Sequence, residues 1–158
     1  MKDVLMPNRI VAVIGAGQCG PELMETAHEI GFGLAKAGFA VVTGGLDGVM
    51  RGASEGASSA GGAVIGLLPG LDKTDANPSV GMAIATGLGQ MRNFLVVLNA
   101  EAVVAVEGGY GTLSEIALAL KIGKPVTAIG RWSSIEGVRP AASSDEAIRL
   151  TRNFLGDA

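Results

Sequence analysis

Apolar residues along this chain come in short unbroken runs separated by polar, glycine-rich stretches. The runs "RIVAVIG" (9–15), "FAVVTG" (39–44), "AVIGLLP" (63–69), "GMAIAT" (81–86), "AVVAVEG" (102–108) and "PVTAIG" (125–130) predict six strands. Because they do not alternate with polar residues, they predict a sheet covered on both faces. Between them, helical periodicity predicts helices at about 21–37, 46–60, 90–99, 112–122 and 144–155. Alternation of strand and helix is the pattern of an α/β domain, a doubly wound parallel sheet of about six to seven strands with right-handed crossovers. The segment "GLDKTDANPS", within 70–80, predicts a polar, turn-rich loop open to motion, and "RWSSIEGVRPAASS" a second loop before the last helix. No linker or repeat divides the chain, so 1–158 reads as a single domain.

Glycines fall at the end of each run. Gly15 and Gly17 follow the first strand, Gly44 and Gly45 the second, Gly70 the third, Gly87 and Gly89 the fourth, and Gly108, Gly109 and Gly111 the fifth. In a parallel sheet these turns share the carboxyl edge, where open α/β folds bind ligands. Helix N-termini aim at that edge and favour an anion by ~0.3–2 kcal/mol each. Any one of these turns is equally explained by tight chain reversal; five on one edge point to a ligand.

The opening "VAVIGAGQCGP" carries G-x-G-x-x-G, the spacing of a dinucleotide site. Such a site needs an acidic residue at the end of the second strand to hold the ribose. Here that tip is Thr43, followed by Gly44 and Gly45, with Asp47 inside the loop. The motif therefore predicts a strand–turn–helix, with Pro21 in the first helical turn, but not an NAD site. No P-loop motif for ATP is present either.

Composition narrows the classes further. Glycine supplies 25 of 158 residues, and the chain is 48% hydrophobic with only 4% aromatic, so its core is built from small aliphatic side chains packed closely. The net charge of −3 carries no basic stripe, which argues against nucleic acid as a partner. The one cysteine excludes an internal disulfide framework and fits a reducing cytoplasm. The one histidine, His28, reads as an ordinary helix residue and leaves no ligand pair for zinc; no metal site is expected. No run is long enough to span a membrane, and "MKDVLMPNR" lacks the apolar core of a leader. The lysines Lys2, Lys36, Lys73, Lys121 and Lys124 lack the context of a pyridoxal Schiff base.

Two stretches carry candidate chemistry. In "VEGGYGTLSEIALAL" (106–120), the three glycines, Thr112 and the following helix N–H groups make a nest suited to phosphate. The same letters, Thr112-Leu113-Ser114-Glu115, also read as a capping box in which Thr112 and Glu115 satisfy the helix end. In "TGLGQMRNFLVVL" (86–98), Arg92 falls in the first turn of a helix, where a cation opposes the dipole unless an anion compensates. Arg92 and Glu115 either share a cleft or form a surface ion pair worth ~0–1 kcal/mol. Helices that are apolar almost all round, such as "TLSEIALALKI", predict contact with a second copy as well as with the sheet.

The strings "GGLDGVMRGASEGASSAGGAVIGLLPG", "IATGLGQMRN" and "GGYGTLSEIALALKIGKPV" resemble the LOG-like superfamily over residues 10–150. That superfamily includes cytokinin-activating phosphoribohydrolases and molybdenum cofactor carrier proteins, and the wording here looks closest to the carriers. The resemblance implies a Rossmann-like fold, a homodimer or homotetramer, and a phosphate held by Gly108, Gly109, Gly111 and Thr112. It implies two functions: a cytoplasmic carrier of a phosphate-bearing pterin or nucleotide that needs no cofactor of its own but holds molybdenum cofactor, or a nucleoside 5′-monophosphate phosphoribohydrolase with Arg92 and Glu115 catalytic. A regulatory module with a vestigial pocket is the third reading. The hydrolases have Pro-Gly-Gly where this chain has Glu107-Gly108-Gly109, and Arg-Lys where it has Arg92-Asn93. An extra carboxylate and a missing cation disfavour a 5′-monophosphate if Glu107 faces the site.

Overall fold

The computed structural model describes residues 9–156; the leader reading of residues 1–8 and the placement of Lys2 lie outside them. Seven strands form one all-parallel sheet in the order β4-β3-β2-β1-β5-β6-β7. They are β1 (Ile10–Gly15), β2 (Ala40–Thr43), β3 (Val64–Leu68), β4 (Met82–Ala85), β5 (Ala102–Val106), β6 (Val126–Ile129) and β7 (Val138–Pro140). Helices α1 (Pro21–Lys36), α2 (Val49–Ser59), α3 (Arg92–Leu98), α4 (Tyr110–Lys121) and α5 (Ser144–Phe154) connect or follow them. This is the doubly wound α/β architecture that the strand–helix alternation predicts.

The unbroken apolar runs do cover both faces. In β1, Val11 and Val13 pack into the cluster beneath α1, α2 and α5, while Ala12 and Ile14 pack into the one beneath α3 and α4. In β5, Val104 and Val106 take the first side, Val103 and Ala105 the second. Small residues set the helix spacing. A Cβ on Gly56 would lie 1.9 Å from the His28 carbonyl oxygen, and one on Gly31 2.1 Å from that of Ala53. Helices α1 and α2 therefore touch backbone to backbone, which explains the glycine content with so few aromatics.

Three elements differ from the sequence expectation. The second loop contains β7, a three-residue edge strand paired with β6 through Val126↔Val138; too short to form a run, it tolerates Pro140 because its outer edge has no neighbour. Helix α2 begins at Val49 rather than 46, because Gly45 and Gly48 adopt φ of 79° and 66° and keep the chain in a turn. The 70–80 loop is anchored rather than loose. Buried Asn77 donates its side-chain amide to the Leu46 carbonyl at 2.9 Å, and its backbone N–H to that of Gly45 at 2.9 Å.

Chain order runs from β1 outward to β4 and then returns to place β5 on the other side of β1. The switch in direction leaves a crevice at the carboxyl ends of β1 and β5, where neighbouring connections diverge to opposite faces.

Candidate functional site

That crevice opens into a cavity of about 290 Å³. Its walls come from the ends of β1 (Gly15, Gly17) and β2 (Gly44, Leu46), the start of α2 (Met50), the start of α3 (Arg92, Asn93) and the turn into α4 (Gly109, Gly111, Thr112). The turns after residues 15, 44 and 108 thus meet on one rim. Gly45, Gly87, Gly89 and Gly108 are not part of the wall: all four hold positive φ and shape the turns behind it. Thr43 also serves its own turn, its hydroxyl accepting the Gly45 N–H at 3.0 Å.

The capping-box reading of Thr112 and Glu115 fails. Helix α4 starts at Tyr110, with Gly109 as its N-cap and no side chain capping it. Thr112 and Glu115 therefore lie inside the helix, both buried and both on the cavity wall. Because Gly109 offers no side-chain oxygen, no side chain caps the first-turn N–H groups.

Arg92 is not a surface residue either; it is only 6% exposed. One end of its guanidinium donates to Asn93 Oδ1, and Nη2 donates to the Gly44 carbonyl at 3.4 Å. The approach is possible because residue 44 is glycine, since a Cβ there would stand 2.6 Å from Nη2. Nε is buried without a hydrogen-bond partner. Asn93 in turn donates to Gln90 Oε1 at 3.3 Å, so a short polar chain fixes the cation. Asn93, which the sequence presents as a missing cation, orients the one that is present. Gln90, Leu46, Met50, Val13 and Ile14 complete the lining. Sequence reasoning quoted the stretches that contain them but passed over these residues because none bears a charge.

Burial lowers the Arg92 pKa from its ordinary value, with Glu115 acting in the opposite sense; the guanidinium stays charged. Burial pushes the Glu115 carboxyl up to about 8 against the attraction of Arg92. At neutral pH the site therefore holds one buried cation beside a largely neutral acid. Glu107 does not subtract from that charge. Its carboxylate turns toward the β6–β7 loop, where Oε2 accepts the Arg131 backbone N–H at 3.1 Å.

The fold and the cavity define a Rossmann-like α/β protein with a compact cavity, walled in part by a buried arginine, at the switch point of its sheet. Residues 8–153 match the SLOG cluster4 family, and the chain belongs to that family. An uncharacterized protein of Archaeoglobus fulgidus is 41% identical over 138 residues, covering 87% of this chain and 91% of its own. Among solved structures, the molybdenum cofactor binding protein of the phototrophic bacterium Rippkaea orientalis superposes with a TM-score of 0.88 at 36% identity, over 93% of this chain and 97% of that one. The molybdenum cofactor carrier protein of Chlamydomonas reinhardtii gives 0.86 at 36% identity, over 94% and 98%. Among the described residues, no helix is long and apolar enough to cross a membrane.

Proposed function

We propose that this protein is a carrier for molybdenum cofactor, holding a phosphate-bearing pterin as cargo in the cavity between β1 and the starts of α3 and α4. The observation that carries the reading is Arg92: a buried guanidinium beside open glycine turns, with Nε unpartnered. A charge so placed is costly unless an anion joins it. The α4 N-terminus, uncapped at Gly109, supplies the complementary N–H groups. Gly109, Gly111 and Thr112 would hold phosphate oxygens, and Arg92 the remaining negative charge. Gly15, Gly17 and Gly44 let the ring lie against backbone. A volume of about 290 Å³ is at the small end of ligand sites, which run from roughly 300 Å³, and suits a ligand seated partly in solvent. The structural likeness to cofactor carriers over nearly the whole chain supports the same reading.

In this reading the protein acts in the cytoplasm, in keeping with free Cys19, and assembles with a second copy of itself. Binding rather than turnover is its task. Protein purified under anaerobic conditions from a host that makes the cofactor should carry molybdenum, read by elemental analysis, and a pterin, read by fluorescence after oxidation. Incubation with a panel of nucleoside 5′-monophosphates should release no free base. Base release that disappears in Glu115→Gln would overturn the reading in favour of a phosphoribohydrolase.

A further inference from the structure

Behind the glycine turn lies a second set of contacts that the cavity does not use. Glu107 is the one non-glycine residue with positive φ among the described residues, at 52°. An L-residue held there is disfavoured unless its surroundings hold it. Three residues of the β6–β7 loop do so. Gly130 leaves room for the side chain, since a Cβ on it would lie 1.9 Å from Glu107 Oε1. The Arg131 N–H donates to Oε2, and the Trp132 indole N–H donates to the Gly108 carbonyl at 3.1 Å. The Arg131 guanidinium also lies 5.8 Å from the Tyr110 ring and 4.4 Å from that of Trp132.

Resting on the anion-binding reading above, we infer that Glu107 and Trp132 are positioning residues that set the conformation of the Gly108–Gly111 turn and hence its affinity for phosphate oxygens. The chain reaches Gly109 through two successive positive-φ residues, 52° at Glu107 and 106° at Gly108. That path orients the peptide units entering the uncapped end of α4. Glu107 holds its half through the Arg131 N–H, and Trp132 holds the Gly108 carbonyl. Neither lines the cavity, so both act through the turn. The β6–β7 loop thus becomes a determinant of binding from outside the site.

The test uses inorganic phosphate as the probe, with affinity read by calorimetry and turn dynamics by amide hydrogen exchange. Glu107→Gly keeps the backbone freedom and removes the clamp; Trp132→Phe keeps a ring and removes the donor. Each should weaken phosphate binding about tenfold and speed exchange across 108–112, while Glu107→Gln, which retains the acceptor oxygen, should match the wild type. Trp132 is the only tryptophan of the chain, so its emission in Glu107→Gly reports whether the loop has come away from the turn. Affinity within about twofold of wild type in both folded variants would overturn the inference, as would a Glu107→Gln variant as weak as Glu107→Gly. If the wild type binds no phosphate, the anion-binding reading fails. The positioning claim is then decided by exchange alone, and unchanged protection of 108–112 in both variants sinks it.

Discussion

Arg92 and Glu115 face one cavity from two different helices, yet they are not among the ion pairs that the described residues form. The guanidinium keeps a free Nε, and the acid is mainly protonated near neutrality. A closed pair would neutralise the site; an open one leaves the cation for a ligand. Arg92→Lys retains charge but not the planar fork that spans Asn93 and Gly44, and Arg92→Met removes both. Phosphate affinity should fall by about tenfold in the first and about a hundredfold or more in the second. Calorimetry checks the order: wild-type affinity in Arg92→Lys would show that the fork contributes nothing, and equal losses in the two variants that charge without the fork contributes nothing.

The Glu115 carboxyl makes stability and binding depend on pH in a defined direction. Its folded pKa of about 8 lies above the ordinary value of 4.5, so between those limits the native state binds a proton that the unfolded chain does not. Stability is then greatest toward pH 4.5 and declines as pH rises through 8, by on the order of a few kcal/mol. Thermal midpoints from about pH 5 to about pH 9 should fall in the wild type and flatten in Glu115→Gln. Anion binding should weaken above pH 8 for the same reason, since the ionised carboxylate repels the ligand. A wild-type profile as flat as that of the variant would contradict this placement of the proton.

Neighbouring glycines of the turn should separate binding from folding. A Cβ at Gly109 would meet nothing within 4 Å, and the residue is extended, with φ of −98°. Gly109→Val should therefore fold normally while its side chain takes up space at the cavity wall and abolishes phosphate binding. Gly108 is the opposite case. Its φ is 106°, and a Cβ would stand 2.2 Å from Thr112 Oγ1. Gly108→Ala should lose about 1–3 kcal/mol of stability, measured by urea unfolding, whatever its effect on binding.

How much of this was legible in the sequence depends on what each feature rests on. Unbroken runs such as "AVVAVEG" (102–108) announced buried parallel strands, because a strand covered on both faces has no polar side to show. Glycines after each run announced the rim, since a parallel sheet places all such turns together. Arg92 and Glu115 were legible as chemistry but not as geometry. The spacing from Thr112 to Glu115 fits a capping box as well as a cavity wall, and only the helix start at Tyr110 decides between them. The parts played by Asn77, Asn93 and Glu107 left no trace in the sequence. Each acts through a backbone group distant in sequence or through a neighbouring side chain, as in Asn77 to Leu46 and Glu107 to Arg131. Such links leave no periodicity to read. Strand β7 escaped for a plainer reason: three residues carry no pattern.

The self-association proposed above can be tested on one surface of the molecule. Met82 and Ile84 on edge strand β4 pair in register with Ile65 and Leu67, so they point to the sheet face that α3 and α4 cover. Both are exposed, and Phe94 and Leu98 on α3 are exposed as well. These four large apolar side chains are the candidates for the contact that the proposed pairing needs. Ile84→Glu combined with Leu98→Glu should convert a dimer to a monomer in sedimentation velocity at micromolar concentration. The cavity lies at the carboxyl edge of the sheet and none of these four residues lines it, so phosphate affinity should survive the change. A wild type that sediments as a monomer even at about 100 μM would overturn this pairing, because a standard interface of roughly 1,600 Å² holds dimers well below that concentration.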